Sequence, residues 1–202
     1  MNLDNLPFNW FDVLVLVMVF VGVARGRKRG LSLELFTMSL WLILVLACAV
    51  TYMPLGDLLS SFTPFSKLSC YIISYLFVAG FVVLLFVPAK RSLGGKLVSA
   101  DSFGGGEYYI GMPAGVIRFL CILVAFLALI NARKYSTKEI IDNEKYQKEV
   151  YGSEFFPGLS TLQDDIFKKS FLGPHIKDYA SFLLIKPTPP ETKQIVRAKE
   201  RW

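Results

Sequence analysis

The stretch LSCYIISYLFVAGFVVLLFV, Leu68–Val87, holds 20 residues and no charged side chain. At about 1.5 Å per helical residue it spans about 30 Å, the thickness of a bilayer's hydrocarbon core. Three further stretches read the same way. Trp10–Ala24, extendable to Phe8, has one charge at Asp12; Leu33–Met53 has Glu34 at its start; Pro113–Ala132 contains Arg118. The expectation is an all-α, polytopic membrane protein. Residues 1–132 would form four transmembrane helices, and residues 133–202 a C-terminal amphipathic helical extension with a loose Pro-rich end.

Composition agrees. Of the 202 residues 53% are apolar and 19% charged, with a mean hydropathy of +0.47; soluble domains average about 45–50% and about 25%. The 17 Phe, 9 Tyr and 3 Trp exclude a disordered chain, because that much apolar surface does not stay solvated. The net charge of +6 does not point to nucleic acid. Its cations flank apolar runs instead of forming one basic patch. Cys48, Cys70 and Cys121 lie inside apolar runs without metal-ligand spacing and read as small buried side chains.

Loop charge sets the expected sides. Before Trp10 there is Asp4 but no Lys or Arg, so the first segment reads as an uncleaved helix and not as a signal peptide. Arg25, Arg27, Lys28 and Arg29 crowd a first loop, and Lys90, Arg91 and Lys96 a third, whereas Pro54–Lys67 has only Lys67 against Asp57. Positive loops stay in the cytoplasm. Both termini are therefore expected outside, although Arg133, Lys134 and Lys138 argue the other way. The basic loop would contact anionic headgroups of the bilayer.

Gly22, Gly26 and Gly30 recur every four residues, as do Gly111 and Gly115. Such spacing suits close helix packing in lipid. For the first set, flexibility around the basic turn is the competing reading. Pro113 suggests the first position of the fourth helix. The glycines of Leu93–Gly111 match no phosphate-binding pattern and read as a connector. In the tail, Ser136 would cap a helix to about Val150. Ser160 with Gln163 forms a capping-box pattern, Gly173-Pro174 a stop, and Ile176–Ile185 a short segment facing protein or a membrane interface.

Asp12 should be hydrated near the outer boundary. Arg118, five residues past Pro113, would be about 7.5 Å deep and within snorkelling reach of the inner surface. Glu34 falls at that same end. Glu34 and Arg118 are thus candidates for an intramembrane ion pair; the alternative is that each reaches separately to water or headgroups. No catalytic constellation stands out. His175 is a lone histidine, Asp164-Asp165 point in different directions on a helix, and no cofactor or metal is expected.

Asn9-Trp10-Phe11-Asp12 before an apolar helix, Arg25-Gly26, Arg29-Gly30 and Leu33-Glu34-Leu35 resemble the colicin V production protein family, small bacterial inner-membrane proteins. Asp101 with Gly104-Gly105, then Gly111, Gly115 and Arg118, is similar to that family's second glycine-rich stretch. The resemblance covers roughly residues 9–132; Phe156-Pro157 through Pro174 is similar only in broad position. It implies four membrane helices with the N-terminus periplasmic, and a link to colicin V production, secretion or envelope upkeep. It brings no reaction, cofactor or catalytic residue. The long charged tail and the Tyr108-Tyr109 connector depart from the pattern.

The leading expectation is an accessory or scaffold protein of the inner membrane, not an enzyme, whose tail faces an unidentified protein partner. A small channel or transporter subunit is the alternative. It is expected as an oligomer, for instance a homo-oligomer, since four helices give little room for a central pathway, and its polar residues would be mainly Thr37, Ser39, Ser69 and Ser74. An enzyme acting on lipids would need clustered His, Asp or Ser at a membrane surface, and a cavity bringing Asp101, Glu107 and Arg118 together would favour it.

Overall fold

The computed structural model describes residues 8–98, 106–136, 139–141 and 158–189. Four long helices come first: α1 Trp10–Arg29, α2 Leu31–Phe62, α3 Lys67–Val98 and α4 Glu107–Asn131. The tail adds α5 Leu159–Asp164, which continues as a π-helical turn over Asp165–Lys169, then α6 Leu172–Tyr179 and a 3-10 turn, Ser181–Leu183. The protein is an all-α, multi-pass membrane protein. Among the described residues, three stretches are long and apolar enough to cross a bilayer: Leu31–Phe62, Lys67–Ala89 and Glu107–Asn131. The 20-residue α1 carries Asp12 and four cations and is not among them.

The helices outrun the apolar stretches that announce them. α2 continues through Pro54 to Phe62, so the expected loop Pro54–Lys67 shrinks to residues 63–66. Packing holds that segment helical. Tyr52 meets Tyr71 edge-on at 5.7 Å, and Gly56 lies so close to the Tyr71 ring that a Cβ would collide with it. Prolines are tolerated in membrane helices when neighbours supply such support. α3 likewise continues through Pro88, taking Lys90, Arg91, Gly94, Gly95 and Lys96 into the helix. α4 opens at Glu107, which leaves Pro113 inside it and not at its first position. Asp101, Gly104 and Gly105 lie outside the described residues.

α2 packs along both α3 and α4, while α1 packs along α4 and touches α2 little. The order across the bundle is therefore α3, α2, α4, α1. Between α3 and α4, above α2, a groove of about 620 Å³ stays open, lined by Trp41, Tyr75, Gly80, Val83 and Phe126 among others. Cys48 and Cys70 are buried and Cys121 is partly so.

The tail covers one end of the bundle. Ser160 does not cap α5: Gly158 occupies the cap position and Ser160 is buried one residue into the helix. Gln163 instead donates to the carbonyls of Ile130 and Arg133 at 3.3 and 3.1 Å. Gly173-Pro174 do not stop a helix but lie in the first turn of α6. A first-turn proline lacks only an N–H that would have no intrahelical partner anyway. The Ile166 carbonyl fills the space of a Gly173 Cβ. Residues 176–185 form no single segment, because the helix ends at Tyr179. Leu184 and Ile185 then enter the core, where each contributes about 1.5–3 kcal/mol of burial. The helix expected from Ser136 begins with the Ile140 N–H bonded to the Ser136 carbonyl; residues 142–157 are outside the described residues.

Candidate functional site

The expected basic loop is not a loop. Arg27, Lys28 and Arg29 form the last turn of α1, with Arg25 one turn before, and Gly30 alone joins α1 to α2. Cations at a helix C-terminus are favoured by its dipole, which explains why helix persists to Arg29. Gly30 has φ +76°, a conformation that glycine takes without strain. Beside it Glu107 accepts a hydrogen bond from the Ser32 N–H at 3.0 Å, capping α2 from the start of α4.

α4 returns antiparallel along α1, and the four glycines meet. Gly22 faces Gly115 and Gly26 faces Gly111, backbone against backbone, with no room for a Cβ at Gly26 or Gly115. This contact brings α4 close to the α1–α2 junction. Arg118, three residues beyond Gly115, lies buried between helices and donates from Nη1 to Oε1 of Glu34, itself fully buried. Arg29 Nη1 stands 3.7 Å from the other carboxylate oxygen. α4 starts at Glu107, so Arg118 lies about 16.5 Å along the helix and five residues beyond Pro113. Its guanidinium also stacks over Phe119 at 4.8 Å. Glu107 is engaged with Ser32 and Arg118 with Glu34, while Asp101, the third residue of the expected cluster, lies outside the described residues.

Asp12 is buried, not hydrated. Its carboxylate accepts backbone N–H bonds from Asn9 at 2.9 Å, Phe171 at 3.0 Å and Leu172 at 2.9 Å. The first closes a reciprocal cap on α1, in which the Asn9 side chain accepts from the Trp10 N–H. The other two fasten the tail at the start of α6. Asn9 Nδ2 adds a bond to the Asp165 carbonyl, Asn131 one to Ile185, Tyr52 accepts from the Lys186 N–H, and Thr188 pairs with Ala132. The Lys169 ammonium, 2.8 Å from Asp165, is held above the usual lysine range by that carboxylate.

Replacement of Asp12 by alanine is therefore expected to loosen the tail while the bundle persists. Bonds to charged acceptors contribute about 1.5–3 kcal/mol each. Hydrogen exchange at Phe171 and Leu172 should rise at least about tenfold, about 1.4 kcal/mol. Unchanged protection there would show that Asp12 does not hold the tail.

The hydroxyls proposed for a polar stripe do not form one. Thr37 and Ser39 donate to carbonyls of their own helix, Ser69 pairs with Ser66, and Ser74 is buried beside an apolar groove. His175 rests edge-on to Phe171, and Asp164 and Asp165 pair with Lys168 and Lys169. Among the described residues no group of three or more His, Cys, Asp or Glu could hold a metal ion.

The family model described as colicin V production protein matches residues 11–179 of the chain. That range takes in both ends of the bundle, from Asp12 to Tyr179. No curated protein matches, and no solved structure matches.

Proposed function

The chain belongs to the colicin V production protein family, and from that premise we propose a non-catalytic scaffold of the bacterial inner membrane serving toxin production, export or envelope maintenance. Four helices cross the bilayer in this reading, α1 included, with both termini periplasmic. Residues 1–132 form the membrane unit and residues 133–202 the extension that partners contact. The basic turn of α1 faces anionic headgroups at the cytoplasmic surface.

One observation carries the reading: the tail is fastened to the bundle end through Asp12, Tyr52, Asn131 and Ala132, yet presents Tyr179 at 81% and Phe182 at 67% exposure. A rigidly held element with aromatic side chains turned outward suits protein contact, since aromatic residues are enriched where partners bind. A photo-crosslinking residue at Phe182 in intact cells is expected to yield a discrete protein adduct. Release of the tail by Asp12→Ala should abolish it. Adducts with lipid alone would defeat the scaffold reading.

A further inference from the structure

On the outer side of α1, away from the tail, a groove of about 760 Å³ joins two kinds of surface. Arg25, Lys28 and Arg29 form one rim. Their i, i+3 and i+4 spacing puts all three on one helix face. Phe20, Val21, Ala24 and Leu33 form the other wall. Phe20 is 73% exposed, with Val21 and Leu33 near 40%. We infer that this groove binds one anionic phospholipid, its phosphate among Arg25, Lys28 and Arg29 and an acyl chain along Phe20, Val21 and Leu33.

Charge and geometry argue for that occupant. Among the described residues Arg29 has Glu34 as its acidic neighbour, and Arg25 and Lys28 have no acidic partner. Glu34 is already engaged by Arg118, so the junction holds more cations than acids. On α1 the apolar wall runs back from Ala24 through Val21 to Phe20, one to five residues before Arg25. That is about 1.5–7.5 Å along the axis at about 1.5 Å per residue, so an acyl chain leaving a phosphate held at Arg25 meets apolar surface at once. A soluble anion would leave this wall unused. The Gly26–Gly111 contact fixes the back of the same turn, so the rim cations are presented by a rigid helix and not by a loop.

The inference rests on the proposed membrane placement and sharpens its headgroup contact to a single site. Arg27 tests the difference, because it lies about 200° around the helix from Arg25 and does not line the groove. The full chain in detergent micelles is titrated with phosphatidylglycerol or phosphatidylcholine, and bound lipids are counted by native mass spectrometry. One phosphatidylglycerol is expected per chain, with no comparable retention of phosphatidylcholine. Arg25→Gln should weaken it about tenfold and Arg27→Gln less than about twofold, helix content being unchanged in both. Equal losses in the two variants would remove the site and leave only diffuse attraction to headgroups. Displacement by soluble glycerophosphate would reduce it to an anion site and overturn the phospholipid assignment. Equal binding of both lipids would defeat the headgroup contact along with the site.

Discussion

Arg118→Met is expected to destabilise the folded protein by about 3–5 kcal/mol, because it leaves the buried Glu34 carboxylate without its main partner. Arg29 is the weaker partner. It stands 3.7 Å away on the exposed end of α1, and its side chain is 39% accessible. The double variant Glu34→Met/Arg118→Met should recover most of the loss and could only do so if the two charges act as a pair. The unsatisfied atoms sharpen this expectation. Glu34 Oε2 and Arg118 Nε have no hydrogen bond among the described residues, so the pair offsets its own desolvation incompletely. Apolar replacement of both members of such a pair is often neutral or stabilising by about 1–4 kcal/mol. Unfolding of the four chains by denaturant in micelles gives the coupling directly. Additive effects of the single variants would show that the two groups do not support one another.

How much of this was legible without coordinates follows from which interactions are local. The apolar runs of α2, α3 and α4 declare themselves, because lipid demands about 20 apolar residues whatever the rest of the chain does. Their ends do not. Pro54 and Pro113 read as boundaries and the third apolar stretch stops at Val87, yet Pro54, Pro88 and Pro113 each lie inside a helix. At Pro54 the contact with Tyr71 of α3 outweighs the local preference. The basic residues after Ala24 read as a loop because charge ends an apolar run, whereas the helix dipole welcomes cations at its C-terminus. The four-residue glycine spacings and the two buried charges at Glu34 and Arg118 are visible as unusual residues in apolar surroundings, and the fold brings each set together. Asp12 is the clearest failure. Its partners Phe171 and Leu172 are 159 and 160 residues away and offer backbone N–H groups, which carry no side-chain signature.

Gly115→Leu should cost about 3 kcal/mol net, the second large effect. Two forces oppose each other. Removing a glycine from a helix interior gains about 1 kcal/mol in propensity. Against this, the Gly22 carbonyl occupies the position of a Gly115 Cβ, and Gly26 Cα lies 3.0 Å from it. Backbone cannot rotate aside as a side chain can, so α1 and α4 must separate along their length. Overpacking costs typically about 1–3 kcal/mol where side chains can adjust, and more is expected here because the lost close approach is itself the adhesion between the helices. The damage would also reach Arg118, three residues on and on the same face, and so weaken its hold on Glu34. Gly80→Leu supplies the contrast. It is the same chemical change in α3, where a Cβ meets nothing within 4 Å, so the propensity gain should dominate and stability should hold or rise. If the two variants unfold at the same denaturant concentration, the α1–α4 glycine contact does not hold the bundle. If only Gly115→Leu unfolds early, the steric reading of those four glycines stands, and the burial of Arg118 follows from it.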